Sequence, residues 1–135
     1  MKRRIGRAVL TIMVIALVAT GTALAAHDAV KVAKKDGVGS YLTDAKGMTL
    51  YQFKNDHHGM SACEGPCIDN WPPFFQDLGE AVDGLAITDF GTIPRADGKK
   101  QIGYKGMPLY YFIKDKKPGD TAGQGVKDVW SVVNP

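Results

Sequence analysis

Eleven consecutive residues carry two imidazoles, a thioether and two thiols, in the run His57-His58-Gly59-Met60-Ser61-Ala62-Cys63-Glu64-Gly65-Pro66-Cys67. With a reduced Cys63 or Cys67, the side chains of His57, His58 and Met60 make a soft donor set that suits copper(I) and could hold zinc. In an oxidising compartment the same two cysteines, isolated and spaced C-x3-C, join as a disulfide instead. Closing so short a loop stabilises by about 2 kcal/mol on the chain-entropy estimate. A third chemistry is thiol redox exchange through Cys63 and Cys67. The spacing is not the C-x-x-C of thioredoxin-like oxidoreductases, however, and Ile68 stands where c-type haem attachment needs a histidine. The disulfide is the expected state, with no cofactor; copper or zinc on the His57-His58-Met60 loop is the alternative.

What positions this loop is a unit written twice. Shifted by 59 residues, Lys46-Gly47-Met48-Thr49-Leu50-Tyr51-Gln52-Phe53-Lys54-Asn55-Asp56 lies over Lys105-Gly106-Met107-Pro108-Leu109-Tyr110-Tyr111-Phe112-Ile113-Lys114-Asp115, identical at seven of eleven positions. The same shift lays Trp71 on Trp130 and Asp69 on Asp128. Residues kept in both copies answer to a shared backbone. Tyr51, Phe53, Trp71, Tyr110, Phe112 and Trp130 therefore read as core aromatics, each able to bury roughly 150–250 Å². Asp56 and Asp115 read as strand-closing residues that accept backbone N–H bonds. No partner carboxylate or histidine recurs beside them to make an acid–base pair, and no catalytic residue is assigned. The histidines, Met60 and both cysteines occur in one copy only.

The predicted elements are strands. Residues 48–53 alternate faces and are rich in aromatic and β-branched side chains. Asp44-Ala45-Lys46-Gly47, Asp97-Gly98 and Gly103-Tyr104-Lys105-Gly106 read as hairpin turns, and 126–133 as a last strand. Residues 75–87 read as an irregular connection with at most one turn of helix. The expectation is a mainly β fold: one compact antiparallel β domain over 26–135, with repeat one at about 30–74, a connection at 75–89 and repeat two at about 90–135. Each half alone would bury too little to stand by itself.

Ahead of this lies a basic start (Lys2, Arg3, Arg4, Arg7), an uncharged run at 8–19 and Ala23-Leu24-Ala25. About a dozen apolar residues cannot cross a bilayer that needs about 20. Residues 1–25 read as a secretory signal peptide cut after Ala25, or else after Ala26. Of 17 basic residues four fall in this segment, and of 14 acidic residues none does. The precursor's +3 thus becomes 13 basic against 14 acidic, or −1, and the case for a nucleic-acid partner disappears. No transmembrane segment is expected in the mature chain. With no cysteine at the cut, no lipid anchor is expected either.

Tyr51-x-Phe53-x-x-Asp56 and Tyr110-x-Phe112-x-x-Asp115 resemble the Y-x-[FWY]-x-x-D motif of a family of bacterial secreted repeat proteins of unknown function, often described as predicted lipoproteins. The resemblance runs from about Val30 to Pro135. It includes Cys63-x-Gly65-x-Cys67 leading into Trp71-Pro72-Pro73, and Gly119-Asp120-Thr121 with Gly123-Gln124-Gly125 ahead of Trp130. It implies an exported protein, periplasmic or secreted, with tandem copies and no established activity. The resulting expectation is a non-catalytic envelope module that binds an unknown partner or small ligand.

Overall fold

A computed structural model describes residues 15–16, 29–78, 82 and 84–135. The expected signal peptide lies almost wholly outside these residues. The chain is built of short strands in antiparallel sheets, with little helix. Strand β1 (Val30–Lys35) pairs with β2 (Gly39–Asp44), β3 (Tyr51–Phe53) with β7 (Trp130–Val132), and β4 (Phe90–Pro94) with β5 (Lys100–Tyr104), which also pairs β6 (Met107–Pro108).

The turns follow from their residues. After β2, Asp44 accepts the amides of Lys46 and Met48 on Oδ1, both at 2.9 Å, and Gly47 takes φ 88° to reverse the chain. Between β5 and β6 both central residues, Lys105 and Gly106, have positive φ, as a two-residue hairpin with the right-handed twist requires. Asp97 bonds the Lys99 amide in the β4–β5 turn.

Two expected elements are shorter than their sequence pattern. Of 48–53 only Tyr51–Phe53 is regular strand, because Thr49 and Leu50 turn their bonding to β2: Thr49 bridges Thr43, and the Leu50 amide reaches the Leu42 carbonyl at 3.0 Å. Of 126–133, Val126–Asp128 is a 3-10 turn, and strand begins only at Trp130. One helix, α1 (Pro66–Asn70), was not expected; Pro66 starts it at a position where its missing N–H costs nothing.

The two repeats exchange their last segments. Tyr51 and Tyr110 face each other with reciprocal bonds, N–H to carbonyl, of 2.8 and 2.9 Å. Around this centre the contacts come in twos at the 59-residue shift. The Phe74 amide bonds the Leu109 carbonyl, as Val133 bonds Leu50; Ile113 bonds Asn70, as Lys54 bonds Val129. Residues 72–74 of repeat one therefore lie on repeat two, and 130–133 of repeat two lie on repeat one. Each half keeps a small sheet of its own, β1–β2 or β4–β6, while the β3–β7 sheet takes one strand from each.

Successive residues on these strands enter opposite cores. Leu42, Leu50, Leu109, Val133, Phe74 and Ile102 pack in one cluster, and their neighbours Tyr41, Tyr51, Tyr110 and Val132 in the other, with Trp71, Phe112, Trp130 and Cys63. Period-two alternation here separates two dry interiors rather than an interior from water.

Candidate functional site

The second core holds the residues that recur in the sequence. Tyr51 donates its hydroxyl to Asp115 Oδ2 at 2.6 Å, and Tyr110 donates to Asp56 Oδ2 at 2.7 Å. Each bond joins one repeat to the other. Each carboxylate uses its second oxygen locally: the Ala62 amide bonds Asp56 Oδ1 at 2.6 Å, and the Ala122 amide bonds Asp115 Oδ1 at 2.9 Å. Local turns aim them, with the Asp56 amide on the Phe53 carbonyl and the Asp115 amide on that of Phe112.

Burial raises the pKa of both carboxyls above the usual aspartate range, against the opposing pull of these phenol and amide donors. It also pushes the Tyr51 and Tyr110 phenols far above their ordinary value, reinforced by the adjoining carboxylates. Tyr111, bonded to Asp44 Oδ2 at 2.8 Å, is raised for the same two reasons. Phenols this reluctant to ionise are donors, not bases.

Around these pairs the repeats differ. Beside Tyr110, Arg95 binds Ser61 Oγ at 2.9 Å and Gln101 Oε1 at 2.7 Å through Nη1, and the Cys63 carbonyl at 2.6 Å through Nη2; Ser61 in turn meets the Tyr110 hydroxyl at 2.6 Å. Beside Tyr51 the corresponding cation is Lys35, on the Gly119 carbonyl at 3.0 Å and Thr121 Oγ1 at 3.3 Å. Lys35 and Arg95, like Ser61 and Thr121, stand 60 residues apart. That spacing was the signal for a network that sequence reasoning missed. Where repeat one has Cys63, repeat two has Gly123, whose amide bonds the Tyr51 hydroxyl at 3.1 Å.

The recurring aromatics form a column. Phe53 stacks on Trp130 with centroids 4.3 Å apart, Trp130 on Trp71 at 3.8 Å and 2°, and Trp71 on Phe112 at 4.1 Å. Tyr51 and Tyr110 meet Trp71 and Trp130 edge-on at 5.5 and 5.2 Å. The order Phe–Trp–Trp–Phe is symmetric about the tryptophan pair. Beside the pair opens a cleft of about 440 Å³, lined by α1 residues on one side and by Lys127, Val129 and Trp130 on the other.

The loop with the single-copy residues lies next to this core. Cys63 and Cys67 are joined as a disulfide, with Cys63 wholly buried. No free cysteine remains among the described residues, so neither sulfur is a thiolate ligand. His57, His58 and Met60 are exposed in a tight turn in which His57 and Met60 exchange backbone bonds of 3.1 and 2.9 Å. His57 and Met60 thus share one face, while the His58 ring lies over Gly106, where a Cβ would overlap it. Among the described residues no group of three or more His, Cys, Asp or Glu is placed to hold a metal ion.

A family model described as a secreted repeat of unknown function (Lipoprotein_15) matches the sequence twice, over 32–74 and 91–134. The chain belongs to this family. The two matches fall on the two halves whose last segments are exchanged, so the secreted-repeat unit is the half-domain that its neighbour completes. No curated protein and no solved structure matches the chain. The family is described as secreted, which is consistent with an exported protein. Among the described residues no helix is long and apolar enough to cross a membrane.

Proposed function

We propose that this secreted-repeat protein is a non-catalytic binding module of the bacterial cell envelope, exported by a cleaved segment at 1–25 and working in the periplasm or beyond it. The observation that carries this reading is the engagement of the recurring polar residues. Both motif tyrosines and both motif aspartates are taken up in joining one repeat to the other. These four residues serve the scaffold, which supports a structural role for the repeated motif. What remains distinctive is the surface of the unrepeated loop and the cleft beside the tryptophans. The Cys63–Cys67 disulfide fits the same reading as a clamp on that loop.

Cell fractionation with intact-mass measurement tests this, followed by co-sedimentation of the purified product with isolated envelopes. The reading expects a product that begins at residue 26 or 27, lies outside the cytoplasm and sediments with envelopes saturably. A full-length cytoplasmic protein, or a processed one that never sediments, overturns it.

A second reading is a copper or zinc site on the loop, favoured by the shared exposed face of His57 and Met60. Copper(I) and zinc(II) titration of wild type and of His57→Ala/His58→Ala decides it. Binding unaffected by the double change removes the site.

A further inference from the structure

The cleft beside the tryptophan pair combines three features. First, Trp71 and Trp130 are 5% and 4% exposed, yet neither indole N–H has a hydrogen-bond partner among the described residues. No buried side-chain nitrogen or oxygen lacks a partner there, so both N–H groups must reach solvent. The cleft is the open space that both indoles line. Each indole N–H thus meets water rather than a protein acceptor, and a ligand oxygen can take that water's place.

Second, the other polar groups in the lining are donors or amides: Asn55, Asn70 and Lys127. No acidic side chain is among them. The walls are apolar, formed by Phe53, Pro66 and Val129 with Cys67 of the disulfide. At about 440 Å³ the space falls in the ordinary range of small-molecule sites, roughly 300–1,000 Å³.

Third, Lys127 and its neighbour Asp128 both take the left-handed conformation, at φ 53° and 58°. Two consecutive non-glycine residues there are strained. Lys127 lines the cleft, and strain of this kind concentrates at ligand clamps.

We infer that the cleft between α1 and the 127–130 segment binds a small organic carboxylate with a flat apolar body. The carboxylate accepts from the indole N–H groups, the amides of Asn55 and Asn70, and the Lys127 ammonium; the body lies against Phe53, Pro66 and Val129. This rests on the binding-module reading and gives that module a ligand class. A cationic ligand would leave the donors unmatched and a neutral hydroxyl would accept from them more weakly, which is where the site gains its selectivity.

The full processed chain, labelled with ¹⁵N, tests the site directly, because its two tryptophans give two indole N–H signals. Three probes of one shape are titrated: benzoate, benzyl alcohol and benzylamine. The site predicts saturable shifts of both signals with benzoate, affinity weaker by roughly tenfold for benzyl alcohol, and no saturable shift with benzylamine. Lys127→Asn keeps a residue tolerant of left-handed backbone and should weaken benzoate by roughly three- to tenfold with the spectrum otherwise native. Indole signals indifferent to benzoate, an equal response to benzylamine, or benzoate affinity unchanged in Lys127→Asn overturns the inference. Envelope sedimentation is read separately. A failed benzoate titration with sedimentation intact rejects only this site, and the converse rejects only the envelope role.

Discussion

The phenol of Tyr51 lies 2.6 Å from the carboxylate of Asp115, a residue 64 positions away in the other repeat. Its counterpart, Tyr110 on Asp56, spans 54 positions in the opposite direction. A motif that looks local in sequence, tyrosine and aspartate five residues apart, is thus satisfied only across the repeat boundary. Each half supplies a donor that the other half needs.

The two bonds differ in consequence. Tyr51→Phe removes the donor from Asp115 and also the acceptor for the Gly123 amide. Tyr110→Phe removes the donor from Asp56, while Ser61 keeps its bond from Arg95. Each leaves a buried polar group short of a partner, at a cost of about 1–3 kcal/mol. Urea unfolding should rank Tyr51→Phe as the more damaging.

The aspartates give the stability a particular pH slope. Both carboxyls hold their proton more tightly folded than unfolded, because burial disfavours the charge. Above the ordinary value of 3.8 the native state therefore binds more protons than the unfolded chain. Their contribution is greatest at the acid end of that window and is lost as pH rises through the raised folded values. The Tm of wild type relative to Asp56→Asn/Asp115→Asn should accordingly rise as pH is lowered from 7 to about 4. A relative Tm that falls over this range would reverse the assigned sign.

The tyrosines extend the argument into alkali. Burial and the adjoining carboxylates keep the phenols of Tyr51, Tyr110 and Tyr111 protonated where a free phenol is half ionised, at about pH 10. Ultraviolet titration of the native protein should leave these three phenols silent until unfolding releases them.

Gly123 tests the packing around the same ring. A Cβ placed there would stand 2.6 Å from Tyr51 Cε1 and 2.9 Å from Trp71 Cη2. Both rings are held in the aromatic cluster and have little room to yield. Gly123→Ala should destabilise by about 1–3 kcal/mol, the usual range for overpacking, and should disturb the near-ultraviolet circular dichroism of the tryptophan pair.

Cleaving the disulfide by Cys63→Ala/Cys67→Ala should lower stability by about 2 kcal/mol, the value of closing a short loop. The family scaffold should survive it, since repeat two has a glycine where repeat one has Cys63 and carries no disulfide.

Much of this architecture is visible in the residues themselves. The 59-residue shift reveals the two units, Asp44 and Gly47 mark their turn, and the lone C-x3-C pair, in a chain of a secreted family, points to the disulfide. The crossing of the repeats is not visible, because a duplicated sequence looks the same whether each tyrosine meets its own aspartate or its neighbour's. Only the side-chain bonds of Tyr51 to Asp115 and of Tyr110 to Asp56 decide between these arrangements. The shortened last strand was also hidden, since nothing about Lys127 and Asp128 as residue types announces left-handed backbone. Arg95 and Lys35 escaped for a different reason: they align at 60 residues rather than 59, and each bonds residues distant from it in sequence.

The exchange between repeats is tested most directly by double-mutant cycles on Tyr51. Tyr51→Phe combined with Asp115→Asn should show a coupling energy of about 1 kcal/mol or more, while Tyr51→Phe combined with Asp56→Asn should be additive within about 0.5 kcal/mol. Strong coupling of Tyr51 to Asp56, with none to Asp115, would mean that each repeat closes on itself and would contradict the crossed arrangement.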